Sequence, residues 1–509
     1  VTEAAQQQDI AALAKGGRTN FLGFVLRLIA RVPFLFIAGR LYGAESLGRF
    51  ASALVVVELA AQLCTLGQKR GLAQRLSEDP EHPANAVADA MLLSGVLAVV
   101  VSLLLYAFPI AIFPSGDETF TDRLVVLSIL PSALTEIALA ALAYRYDIGA
   151  TVRARSLVEP WTLSIMAGVL YFINKADGLL LAFNLSILTA FFTAIWPLVK
   201  NYGRPQHWRP DPFHIGRIAV ANLPLAAADA IEWGTRRFDL FILRFFAGEA
   251  AVGVYYVAQQ FASLPQKFKT SFEPVLGPVI TRNLRTKNYT AIAQQVCQVG
   301  FWITAMQFGI ALAMGIGGTG LLGLVGPTFV GGIGALWFLF AAEVLAATAV
   351  VSEAVLIYVA RMTNLVVSLA TLAAQAVATV LLINLATHFD LGDMGSAAAA
   401  GAGLMVALGL SSLVKSRVLA RILNQSINNW RWALLWAAVP AIAVGATGMH
   451  FLPEWAALLL AMPVSLAVYG WVIWHMGFGP EDRMLFRKNA GNEMDGGNLG
   501  EGERNAPTV

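Results

Sequence analysis

Six charged side chains lie in one apolar, helix-length stretch, residues 218–246: Asp229, Glu232, Arg236, Arg237, Asp239 and Arg244. Arginines grip phosphate oxygens through a planar fork of donors and stay charged when buried. Carboxylates in such a segment can carry a proton or a sodium ion. A charge at the centre of a bilayer costs at least about 2.5–3.5 kcal/mol, so ionisable residues there face a protein interior or a water-filled cavity. Helical spacing puts Asp229, Glu232, Arg236 and Asp239 on one face, in steps of three and four. The plainer reading is internal neutralisation, with Glu232 paired to Arg236 one turn on.

A second stretch, residues 19–50, favours a shared site because it repeats the first. Phe34 matches Phe238, Arg40 matches Arg244, Tyr42 matches Phe246 and Glu45 matches Glu249. After one inserted residue, Gly48 matches Gly253 and Phe50 matches Tyr255. Arg31 then falls within one residue of Arg236. Internal repeats with the substrate site at their interface mark transporters. Arg27, Arg31, Arg236 and Arg237 are therefore the candidate ligands for an anionic substrate. Asp239, Glu232, Asp229 and Glu58 are the candidates for coupling to H+ or Na+, with Asp239 favoured because it shares a helix with an arginine pair. Glu136, Glu159, Glu343 and Glu353 are expected to pair with intramembrane cations.

The elements that position these residues follow from composition. Of 509 residues, 57% are hydrophobic and only 13% charged, which specifies an all-α polytopic membrane protein. Apolar runs of bilayer length predict fourteen transmembrane helices. The polar, proline-containing connector 201–216 separates a six-helix lobe at 1–200 from its repeat at 217–418. Two further helices fall in 419–476, and the polar tail 477–509 is expected to be disordered. The glycine-rich run 315–335 reads as a loop or half-buried connector, and Pro224 predicts a kink in the 217–246 helix. Twenty-six of the 35 basic residues fall on one side of this topology, which places both termini in the cytoplasm.

Several chemistries are argued against. There is no GxxxxGK[ST] phosphate loop, so an ion gradient or the substrate's own gradient is the expected energy source. No cofactor, catalytic set or nucleic-acid partner is expected. The two cysteines, Cys64 and Cys297, lie in or beside apolar runs and suit neither a disulfide framework nor a metal site. Short extracytoplasmic connectors speak against a membrane polysaccharide polymerase, ligase or glycosyltransferase.

The segments Arg40-LYGAESLGRF and FDLFILRFFAGEAAVGVYYVAQQF resemble those of Wzx-type lipid-linked oligosaccharide flippases of the multidrug/oligosaccharidyl-lipid/polysaccharide exporter superfamily. The resemblance implies two six-helix lobes around a central cavity, with two helices outside. It implies an undecaprenyl-pyrophosphate-linked oligosaccharide as substrate, turned from the cytoplasmic to the periplasmic leaflet for O-antigen, capsule or exopolysaccharide synthesis. Polymerase and chain-length machinery are the implied downstream partners. Lipid II flippases share the fourteen-helix plan and cationic cavity and are the nearest alternative. Ion-coupled multidrug exporters, usually with twelve helices, come third.

Overall fold

The computed structural model describes residues 29–78, 80–116, 118–266, 280, 283–284, 286–453, 456–479 and 482. Arg27, and the tail other than Gly477–Gly479 and Asp482, lie outside the described residues. The first helix runs from residue 29 and ends in a π-helical turn, Ala38–Tyr42. Gly43, at φ 88°, breaks it from the next, a conformation glycine adopts without a Cβ penalty. Then follow α1 (Gly43–Cys64), α2 (Gln68–Glu78), α3 (Pro83–Ala107), α4 (Ile129–Tyr144), α5 (Glu159–Tyr171), α6 (Gly178–Tyr202), α7 (Pro212–Leu243) and α8 (Glu249–Gln266). The chain continues through α9 (Tyr289–Ile316), α10 (Gly318–Val325), α11 (Ile333–Val359), α12 (Arg361–His388), α13 (Gly392–Leu423), α14 (Ala433–Phe451) and α15 (Met462–Val472). No strand occurs among the described residues.

Ten helical stretches of the described chain are long and apolar enough to cross a membrane. One of them, Ile29–Glu78, holds the first two expected spans. Three more, around α5, α7 and α8, are helical but interrupted by charges and amides. These account for the fourteen expected helices. The 315–335 run departs from expectation: it forms the helix α10 and a 3-10 turn, Pro327–Gly332, instead of a loop. Its glycines are contact points: a Cβ on Gly318 would strike Ile333.

The helices cluster into two compact units. The first comprises Val1–Ser263, Gly318–Ala342 and Met362–Ser411, so it draws on both sides of the 201–216 connector. Within it the repeat becomes physical. Gly48 of α1 lies against Gly253 of α8, backbone on backbone: a Cβ on Gly48 would come within 2.6 Å of the Glu249 carbonyl carbon, and one on Gly253 within 2.8 Å of the Gly48 nitrogen. Small residues permit this approach between membrane helices. Arg40 and Arg244, matched in sequence, make matched contacts. Arg40 donates to the carbonyls of Leu324 (3.0 Å) and Gly323 (3.3 Å), and Arg244 to those of Ala111 (2.7 Å) and Ile112 (3.1 Å). Both receiving segments follow the third long helix of their half. The carbonyls at the end of α10 lack intrahelical donors, and Pro327 has no N–H to offer Gly323, so a cation there completes the helix terminus.

The second unit comprises Leu264–Gly317, Glu343–Arg361 and Ser412–Val509. Two apolar clusters hold it, one around Ile292, Ile303, Val351 and Leu419, the other around Phe301, Leu434, Tyr469 and Ile473. Lys415 pairs with Glu353 at 2.9 Å, a cation as expected, whereas Glu343 accepts from a neutral amide, Gln266, at 3.1 Å. Beyond α15, buried Asp482 accepts from Arg431 (2.7 Å), the Gly479 amide (2.9 Å), Trp302 (2.9 Å) and Gln298 (3.1 Å). Burial alone would raise the Asp482 carboxyl, but these donors, Arg431 foremost, hold it below the usual carboxylate range. A lowered folded-state pKa contributes stability that is complete above the unfolded value, about 3.9, and lost as pH falls through the folded value. Asp482→Asn is therefore expected to lower the melting temperature at pH 7, by about 1.5–3 kcal/mol of stability, and to close that gap at the acid end of a pH series. An unchanged melting temperature at pH 7 would show that these bonds contribute nothing net.

Candidate substrate-binding cavity

Eight helical segments of the first unit enclose a cavity of about 320 Å³. The first helix contributes Arg31 and Phe34, α1 contributes Phe50 and Glu58, and Lys69 comes from the first turn of α2. Glu136 comes from α4, Phe183 from α6, Trp233 and Arg237 from α7, and Tyr256 and Gln260 from α8. Arg155 enters from a π-helical segment, Val152–Val158, that leads into α5, and Glu159 is the first residue of α5. Such π turns concentrate at functional sites.

The ionic pairing is uneven. Arg155 is clamped by Glu136 at 2.5 Å and Glu159 at 2.6 Å, and Lys69 shares Glu136 at 3.0 Å. Arg237 meets Glu58 at 3.3 Å and donates to Gln259 at 2.8 Å. Arg31 donates to Gln260 at 3.1 Å, and no carboxylate pairs with it among the described residues. Four cations against three carboxylates leave the lining one positive charge, and the unmatched one is Arg31. The Trp233 indole N–H is buried without a partner among the described residues, which adds a free donor to the wall.

The residues singled out from sequence separate into three groups. Arg31, Arg237 and Glu58 meet in the cavity. Asp239 is fully buried beside it, accepting from the Tyr255 hydroxyl and, at 3.4 Å, from the Gln259 amide that also accepts from Arg237. Asp229, Glu232 and Arg236 gather instead around Arg70 of α2: Arg70 reaches Asp229 at 2.9 Å and Glu232 at 2.8 Å, and Arg236 meets Glu232 at 3.1 Å. Arg236, 41% exposed, is not among the cavity residues. The close packing of Gly71 and Gly67 on Asn222 and Ala226 brings α2 within reach of α7. Lys69 and Arg155 are cavity residues that the repeat did not point to. Arg155 had a local signal, the i,i+4 spacing to Glu159.

The sequence profile of the polysaccharide biosynthesis protein family matches residues 37–314, more than half of the chain. The chain belongs to that family. The matched range holds every described cavity residue except those of the first helix before Ile37. No curated protein matches this polysaccharide biosynthesis protein. Among solved structures it is similar to the lipid II flippase MurJ in an inward closed conformation, with a TM-score of 0.69 and 14% identity over 93% of this chain and all of that one. It is similar to an inward-facing multidrug-resistance MATE transporter of the MOP superfamily, at 0.64 and 16% over 79% of this chain and 96% of that one. A MOP superfamily transporter from Pyrococcus furiosus aligns at 0.56 and 16%, over 81% and 96%. The fold of this family member is thus that of the MOP exporters, as the repeated segments implied.

Proposed function

We propose that this protein carries a polyprenyl-pyrophosphate-linked oligosaccharide across the bacterial inner membrane, from the cytoplasmic to the periplasmic leaflet, by alternating access. One observation carries the reading: a cavity whose unmatched charge among the described residues is a guanidinium, Arg31, held there by a neutral amide. A pyrophosphate cannot enter hydrocarbon unaided, and an unneutralised arginine fork in a protein cavity is its natural counter-charge. Arg31 and Arg237 are the proposed head-group ligands, with Arg27, four residues before Arg31 in the sequence, as an assistant. Arg236 joins them when Glu232 releases it. Trp233 and Tyr256 supply donors and apolar faces for the first sugar, while the prenyl tail stays in lipid. Glu58 and Asp239 are the proposed coupling carboxylates, the first in contact with Arg237 and the second linked to it through Gln259.

Reconstituted into liposomes, the purified protein is expected to move a polyprenyl-pyrophosphate-linked sugar between leaflets and return it covalently unchanged. Elongation or transfer of the glycan by protein in detergent would replace this reading with a polymerase or ligase.

A further inference from the structure

Away from the cavity, an open groove of about 470 Å³ is lined by Arg153, Phe192, Thr193, Trp196 and Pro197. Arg153 and Arg155 are two residues apart on one turn and so point to opposite faces. Arg155 faces the cavity and Arg153 the groove. The floor is exposed aromatic surface: Trp196 is 78% exposed and Phe192 65%. Pro197, inside α6, cannot donate to the Thr193 carbonyl four residues back, so that oxygen lacks its helical partner.

The rim is cationic. Arg153, Arg145, Lys200 and Arg204 are all exposed at this end of α6, and Arg145 stacks over Tyr202 at 4.2 Å. Among the described residues the carboxylate beside Arg153 is Asp147, at 3.6 Å, which also caps the next helix through the Ala150 amide at 3.1 Å. The positive-inside pattern assigns this end to the cytoplasmic leaflet, where anionic lipids concentrate and basic pockets between helices bind their head groups. Trp196 lies one turn deeper than Lys200, at the level where tryptophans sit in membrane interfaces.

We propose that this groove is a binding site for one anionic phospholipid, its phosphate on Arg153 and an acyl chain along Phe192, Trp196 and Pro197. The same turn would then hold a bilayer lipid outside through Arg153 and the cavity's own carboxylates, Glu136 and Glu159, inside through Arg155. The site is independent of what the cavity carries.

Native mass spectrometry of the delipidated full chain, titrated with phosphatidylglycerol or with phosphatidylcholine of identical chains, tests it. The wild type is expected to retain a first phosphatidylglycerol several-fold better than phosphatidylcholine. Arg153→Ala should erase that preference and Arg153→Lys should keep it, while Trp196→Ala weakens retention of both lipids. A photoactivatable phosphatidylglycerol should label residues 192–197. Equal retention of the two lipids by the wild type, or a preference that survives Arg153→Ala, would overturn the proposal. So would labelling absent from 192–197, or displacement of the lipid by an equimolar polyprenyl phosphate. Unchanged melting temperatures of the variants keep misfolding from imitating the loss.

Discussion

Arg31→Ala is expected to lower lipid-linked sugar transport in liposomes by about 10- to 100-fold while leaving the protein folded and inserted. The magnitude is that of a hydrogen bond to a charged group, about 1.5–3 kcal/mol, at about 1.4 kcal/mol per tenfold. Stability should hardly move, because the residue that loses its donor is Gln260, a neutral amide. Arg31→Lys should recover only part of the loss, since an ammonium lacks the fork that matches a phosphate. Arg155→Ala makes the informative contrast. It strands Glu159, which is partly buried, and leaves Glu136 with Lys69 alone, and breaking such a pair costs about 3–5 kcal/mol. Its defect should therefore appear as a lower melting temperature, with transport lost in proportion to folded protein. If Arg31→Ala destabilised the protein as Arg155→Ala does, or transported normally, Arg31 would not be a substrate ligand.

Gly48→Ala is the second substitution expected to act strongly. The atoms its methyl would meet are backbone atoms of Glu249 and Gly253, which no rotamer change can move. Overpacking of this kind costs about 1–3 kcal/mol, enough to shift a closed end toward opening by about 5- to 150-fold. Leu54 lines the cavity and is 8% exposed, so a cysteine placed there in a Cys64→Ser, Cys297→Ser background reports the opening. Labelling of Leu54→Cys by a membrane-impermeant thiol reagent should rise in the Gly48→Ala protein, and transport should fall. Unchanged labelling and transport would mean that the Gly48–Gly253 contact is not a closing contact.

The repeat was legible because its offset survives in residues that meet their counterparts' surroundings. Arg40 and Arg244 both cap a distant segment, so each was retained at its place in the pattern. Which of two adjacent arginines reaches the cavity was not legible. Arg236 and Arg237 differ by about 100° around α7, and the phase is set by how α2 and α8 pack on that helix, a tertiary property. Hydropathy averaged over a window leaves Arg155 in a polar connector. An average cannot register that one turn sends Arg153 outward and Arg155 inward. The helical path of 315–335 was hidden for a related reason: glycine is a poor helix former in isolation, and only the neighbours that press on Gly318 favour it there.

The paired grips of Arg40 and Arg244 have a consequence for how this end comes apart. Each half of the chain carries both the arginine and the segment that receives the other half's arginine, and Gly48 meets its own counterpart at the centre. That is the geometry of an isologous interface, the kind two identical half-length chains would form about a two-fold axis. In such an arrangement a rotation that lengthens one grip lengthens the other equally, so neither side can let go first. Separation at this end is therefore expected to release the two arginines together.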